Sequence, residues 1–208
     1  MTRSCFTLVR HADYRPMPWR NGQGMTLEIA REPVAGEPFA WRLSLADIAV
    51  DGPFSPYPGY HRAIVLVSGQ SVRLDYHGQG SCVLDSRRRG TRFDGNWRTA
   101  CTLGNGPCTD LSLIVARGNA TQSGCIVRAP AVFPLRDVRS LTLTAELEHA
   151  LFVLRGAVAV RDAAHRRTRV ARERDTVLAS GSAGARLILA PRGTAPVQLA
   201  LLRWRPGR

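Results

Sequence analysis

Lysine is absent: all 29 basic residues of this 208-residue chain are arginine, set against 16 acidic ones, for a formal charge of +13. An arginine-only basic set beside abundant Ala, Gly and Pro looks like the codon usage of a GC-rich genome as much as a selected basic face. The densest runs, Arg87-Arg88-Arg89 and Arg166-Arg167 with Arg169, fall between apolar stretches, where hairpin loops are expected. They come without aromatic interleaving or a nucleic-acid motif, so nucleic acid is not an expected partner. Long apolar runs are also missing, since nothing approaches the roughly 18 residues of a membrane-crossing helix. Arg10 and His11 stand where a secretory signal needs its apolar stretch, so the expected location is the cytoplasm, with no membrane partner. The five cysteines (Cys5, Cys82, Cys101, Cys108, Cys125) show neither a C-x-x-C pair nor zinc spacing, which predicts buried, reduced thiols. There is no G-x-S-x-G, phosphate loop or dinucleotide glycine pattern. The segment from Trp19 to Gly24, W-R-N-G-Q-G, lacks the strand-then-helix context that would make it a glycine loop.

What remains is a succession of short apolar runs separated by turn residues, the pattern of an all-β protein. Strands are expected at Phe39–Leu45, Ala63–Val67, Val72–Tyr76, Leu111–Val115, Leu151–Leu154, Ala157–Val160, Arg186–Leu189 and Val197–Trp204. Only Asp137–Leu143 and Ala145–Ala150 offer even a turn of helix. The segment A-I-V-L-V-S-G-Q-S-V-R-L (Ala63–Leu74) aligns with A-L-F-V-L-R-G-A-V-A-V-R (Ala150–Arg161), Gly69 falling on Gly156. In both, an apolar strand enters a turn of one polar residue plus Gly and leaves as a second strand, a geometry that calls for a positive φ at the glycine. This resembles the core hairpin of cupin barrels. The prediction is a duplication: two double-stranded β-helix (RmlC-like jelly-roll) barrels, residues 1–128 and 129–208. Pro130 and Pro134 restrict the segment between them to an extended linker near the boundary.

Metal-binding cupins converge three or four ligands inside the barrel. Here the first copy offers only His61 and the second only Glu146, Glu148 and His149, with no H-x-H, so neither a metal nor another cofactor is expected.

The first half carries four dense motifs in order: Trp19-Arg20-Asn21-Gly22-Gln23-Gly24; Thr26-Leu27-Glu28-Ile29; Trp41-Arg42-Leu43-Ser44-Leu45-Ala46; and Asp51-Gly52-Pro53-Phe54-Ser55-Pro56-Tyr57-Pro58-Gly59-Tyr60-His61-Arg62. Arg92-Phe93-Asp94-Gly95, Pro107, Asp110-Leu111-Ser112-Leu113 and Arg117-Gly118 follow. The set resembles the HutD/Ves family, with its W-K/R-N-G-G-G-x-T, E-I, W-R-x-S-x-A, D-G-P-F-S and D-F/L-N-L-M stretches. The likeness covers about residues 5–118. Gln23 replaces a glycine, Asn96 stands where G-D is common, and Ser112 replaces the Asn. The resemblance implies a bicupin associated with histidine utilisation or stress response, acting as a small-molecule binding protein rather than an established enzyme.

The residues themselves read as a binding site. Period-two alternation puts Arg42, Ser44 and Ala46 on one strand face and Trp41, Leu43 and Leu45 on the other. Arg62 follows a Pro-Gly turn, and an arginine there presents a bidentate fork for a carboxylate. The candidate ligand-binding residues are Arg62, Arg42, Asn21, Ser44, Ser55, Asp110, Glu28, Trp19 and Phe54, and the expected ligand is a small carboxylate metabolite. Alternatively, Arg42 pairs structurally with Glu28 or Asp51. Two rival functions remain open: metal-free acid/base catalysis through Glu28, Asp51 or His61, and an Arg-rich nucleic-acid-binding regulator. A homodimer through exposed sheet faces is a candidate assembly.

Overall fold

The computed structural model describes residues 5–18, 24–33, 38–118, 124–164, 168–182 and 184–207. Apart from one 3-10 turn at His11–Asp13, the regular elements among the described residues are strands. The chain divides into two compact units, and each repeats the same antiparallel design.

In the unit spanning residues 14–130, a six-stranded sheet runs in the order Arg15–Pro18, Met25–Glu32, Trp41–Ile48, Cys108–Ala116, Tyr60–Ser68, Gly90–Asp94. A four-stranded sheet runs Gly52–Phe54, Thr99–Gly104, Ser71–Asp75, Ser81–Leu84. The sequence explains the burial. Tyr60–Ser68 carries the continuous aliphatic and β-branched run Ala63–Val67, and is buried from Arg62 through Val67. Ser81–Leu84 and Gly90–Asp94 alternate and bury every second side chain. Ile64 and Leu66 from the larger sheet pack with Val72, Leu74, Cys82, Leu84 and Cys101 from the smaller one to form the core.

The unit spanning residues 131–205 orders its strands equivalently. Ala131–Leu135, Val197–Arg205, Glu148–Arg155 and Thr176–Ser180 form one sheet, and Arg139–Thr142, Arg186–Arg192, Ala157–Asp162 and Thr168–Arg172 the other. Gly69 (φ 96°) and Gly156 (φ 79°) occupy the same hairpin turn in the two units. Both units also carry a register shift at matching places, Thr109/Asp110 in one and Val153/Arg155 in the other. These are two jelly-roll barrels, the expected bicupin architecture.

Three expectations are corrected. Residues 5–13 group with the C-terminal barrel, not with the module assigned to residues 1–128. Phe6–Val9 pairs with Thr176–Ala179, covering an otherwise open strand edge, and Phe6 enters the apolar core. Arg10 reinforces this through Asp175, 2.8 Å away, whose other carboxylate oxygen accepts the His11 N–H. The presumed linker is a strand, Ala131–Leu135, bonded to Val197–Leu201; Pro134 is tolerated where pairing is needed on one side only. The helical turns considered at Asp137–Leu143 and Ala145–Ala150 give way to the strands Arg139–Thr142 and Glu148–Arg155, where pairing and burial outweigh weak local helix propensity.

Candidate functional site

Strand register places the inward side chains of the N-terminal barrel in three rows. The first contains Phe93, Arg62, Ile114 and Arg42, with Arg31 at the next strand. The second contains Thr91, Ile64, Ser112, Ser44 and Glu28, and the third Leu66, Asp110, Ala46 and Thr26. Period-two alternation therefore brings Arg42, Arg62, Ser44, Ser112, Glu28 and Asp110 onto one face. A bulge lies beside Asp110 where Thr109 pairs with Ser68 and Asp110 with Leu66. Bulges re-aim side chains in this way next to binding sites.

Burial deepens along these rows. Ser55 is exposed and Arg42 and Tyr57 are half-buried, whereas Arg62 is 7% exposed, Glu28 4% and Asp110 2%. Arg62 donates to the Ser55 backbone carbonyl at 3.3 Å and to the Ser112 hydroxyl at 3.5 Å, and its Nε–H has no acceptor among the described residues. Its guanidinium lies 5.1 Å from the Phe54 ring centre, 5.2 Å from Phe93 and 5.5 Å from Tyr57. Such cation–π contacts are worth about 0.5–2 kcal/mol each. They stabilise the charge without satisfying its donors. Arg42 donates to the Tyr57 hydroxyl at 2.6 Å and stacks on Phe39 and Tyr57, its Nε–H likewise lacking an acceptor among the described residues.

The acidic groups mirror this deficit. Among the described residues, Asp110 Oδ1 and Glu28 Oε2 are buried without hydrogen-bond partners. Burial pushes the Asp110 carboxyl up to about 7, against the pull of the Arg62 charge, while Asp47 adds to the rise. Burial draws the Arg62 pKa below its ordinary value, with Asp110 opposing. A guanidinium with unmade hydrogen bonds beside a carboxyl poised near neutrality is an arrangement able to accept an anion.

The remaining expectations sort as follows. Trp19 and Asn21 lie outside the described residues. Ser55 contributes its backbone carbonyl to Arg62 rather than its hydroxyl. Phe54 supplies a ring face. Of the three acid/base candidates, only Glu28 faces inward with Arg62. Asp51 caps the Leu103 N–H at 2.8 Å, and His61, one residue from Arg62, points to the opposite face. Asp51 is thereby occupied by backbone rather than by Arg42, which bonds Tyr57 instead. Glu148 and His149 diverge: Glu148 accepts from the Ser180 hydroxyl, while buried His149 accepts the Thr144 N–H on Nε2. Among the described residues, no group of three or more His, Cys, Asp or Glu could hold a metal. Tyr57 and Phe93 lie within the sequence motifs but were not among the candidate ligand-binding residues. Phe93 was accessible through the alternation in Gly90–Asp94; Tyr57 sits in a proline-flanked loop with no periodicity to read.

The second barrel carries different residues at the matching positions. His149 and Arg203 pair in register where Arg62 and Ile114 do, and Leu201 and Leu199 stand where Ser112 and Asp110 do. Its interior is an apolar cluster that includes Leu151, Val153, Leu199 and Leu201. The polar rows are thus not required for the barrel to form.

A family model described as HutD matches residues 11–196. The chain belongs to the HutD family. It is 42% identical over 113 residues to an uncharacterised 21.2 kDa protein of the hutC 3′ region in Pseudomonas putida, over 52% of this chain and 57% of that one. Protein Ves of Citrobacter koseri is 37% identical over 113 residues, 52% of this chain and 59% of that one. The match thus spans less than 60% of the length of these curated relatives. Among solved structures, a conserved protein of unknown function from Pseudomonas aeruginosa PAO1 superposes with a TM-score of 0.82 at 30% identity, covering 96% of this chain and 98% of that one. HutD from Pseudomonas fluorescens SBW25 gives a TM-score of 0.72 at 27% identity, covering 98% and 99%. Oxalate decarboxylase of Lactobacillus farciminis, a cupin, shares the fold alone, with a TM-score of 0.68 at 8% identity over 100% of this chain and 88% of that one.

Proposed function

We propose that this HutD-family protein binds a small acidic metabolite in its N-terminal barrel, in the cytoplasm, and through it modulates histidine utilisation or a stress response. The observation carrying this reading is Arg62, a guanidinium 7% exposed whose hydrogen bonds among the described residues are long and whose Nε–H has no acceptor among them. An ionised group held in that state is costly unless an anion answers it. A ligand carboxylate would make paired, charge-assisted bonds to the fork, each worth roughly 1.5–3 kcal/mol. Arg42 stands in the same row as a second cation, and Ser44 and Ser112 offer neutral polar contacts one row deeper. The hutC-region setting of the P. putida relative supports intermediates of histidine breakdown as first candidates. Calorimetric titration with urocanate, formiminoglutamate and formylglutamate tests this. Saturable binding of one of them, weakened in Arg62→Lys, supports the reading; equal binding by Arg62→Lys removes its basis.

One observation favours a second reading, metal-free acid/base catalysis on such a compound. A buried carboxyl at about 7 can exchange a proton near neutrality, and Asp110 is that group. Turnover of the same compounds by purified protein, abolished in Asp110→Asn, separates enzyme from binding protein.

A further inference from the structure

The cationic half of the site leaves two buried carboxylate oxygens unexplained. Asp110 Oδ1 and Glu28 Oε2 are each on the inward face and without a partner among the described residues, on residues 2% and 4% exposed. Unpartnered buried acceptors are rare in native proteins, because a group that loses its water without a replacement partner carries the full desolvation penalty, larger still when it is charged. The fold does not impose them, since the equivalent of Asp110 in the second barrel is Leu199. A simple carboxylate seated on Arg62 would leave both oxygens as they are and place like charges together.

We infer that Asp110, assisted by Glu28, is a specificity-determining group that selects ligands carrying an N–H donor beside their carboxylate: amides, amidines or imidazoles of small acids. The inference rests on the carboxylate reading of Arg62 and adds the other end of the ligand. Geometry sets the spacing. The Arg62 fork reaches Ser112, and Asp110 stands one inward position further along the same strand, a separation of roughly 7 Å at the backbone. A carboxylate on the fork and a donor on Asp110 Oδ1 are therefore bridged by a short scaffold of roughly three to five bonds. With both ends made, the ligand completes the unmet guanidinium donors and the unmet acceptors together. Sites built to hydrogen-bond a donor reject analogues lacking it, because the acceptor is then stranded.

The test compares N-acetyl-β-alanine with 3-acetoxypropanoate, the ester in which oxygen replaces the N–H, by calorimetric titration of the full chain at pH 8. The wild-type protein is expected to bind the amide at least tenfold more tightly. Asp110→Leu, matched to the second barrel, is expected to bring the two to within a factor of about two, and Glu28→Gln to narrow the gap. Equal binding of amide and ester by the wild-type protein overturns the inference and assigns the orphan oxygens to water. That comparison needs no variant, so it stands even if Asp110→Leu fails to fold. Retention of the preference in a folded Asp110→Leu also overturns it. If amide and ester bind equally and Arg62→Lys weakens both, the inference fails while the carboxylate reading stands. Binding of neither ligand overturns both.

Discussion

Replacing Asp110 with Asn removes an ionisable group while keeping its shape, so the pH dependence of stability reports directly on how the barrel treats that carboxyl. Burial moves it from 3.8 to about 7 in the folded protein. A folded-state value above the unfolded one means that the native state holds the proton more tightly. The stabilisation is fully present below about pH 4 and is lost as pH rises through about 7. A rise of about three units, at roughly 1.4 kcal/mol per unit, gives on the order of 4 kcal/mol across the window. Asn does not titrate. The stability of Asp110→Asn relative to wild type should therefore climb by roughly 1.4 kcal/mol per pH unit between pH 5 and 7 and level off above. Urea unfolding of both proteins from pH 5 to 9, followed by tryptophan fluorescence, gives the difference directly. Any fixed effect of the substitution cancels from the slope, as do the other titrating groups. A stability difference independent of pH would refute the assignment and mean that water or Arg62 solvates the carboxylate fully.

The same titration governs ligand affinity. As Asp110 ionises it competes with an incoming anion for Arg62, so the affinity for acetate should fall as pH rises through about 7 and lose that dependence in Asp110→Asn, as read by calorimetry. Arg62→Lys keeps the charge but loses the fork, so carboxylate affinity should drop about tenfold or more, while Arg88→Lys in the exposed hairpin should change nothing. A Cβ at Gly69 (φ 96°) would meet Cys108 Cβ at 2.5 Å and the Pro107 carbonyl at 2.9 Å, whereas Gly78 (φ 80°) faces open space. Gly69→Ala should therefore cost roughly 2 kcal/mol or more and Gly78→Ala roughly 1 kcal/mol, by urea unfolding.

The duplication was legible because the hairpin turn needs a positive φ, and glycine at positions 69 and 156 is the only mark such a turn must leave. The inward face was legible in part. Alternation from Trp41 to Ala46 correctly grouped Arg42 with Ser44, and the same parity puts Ser112 between Asp110 and Ile114. Sequence alone could not foresee that Phe6–Val9 pairs with residues 176–179, because four alternating residues carry no information about a partner so distant in the chain. Nor could it separate the Ser55 hydroxyl from its carbonyl, since a proline-bounded loop has no periodicity to orient a side chain. The unpaired oxygens of Glu28 and Asp110 are properties of packing rather than of motif, and only coordinates reveal them.

The most direct test of the anion site is a crystal structure of the protein grown with urocanate. The expected result is the carboxylate on the Arg62 fork, within about 3 Å of both terminal nitrogens, with the ring facing Asp110. Density for the ligand elsewhere, with Arg62 still held only by the Ser55 carbonyl and the Ser112 hydroxyl, would contradict it.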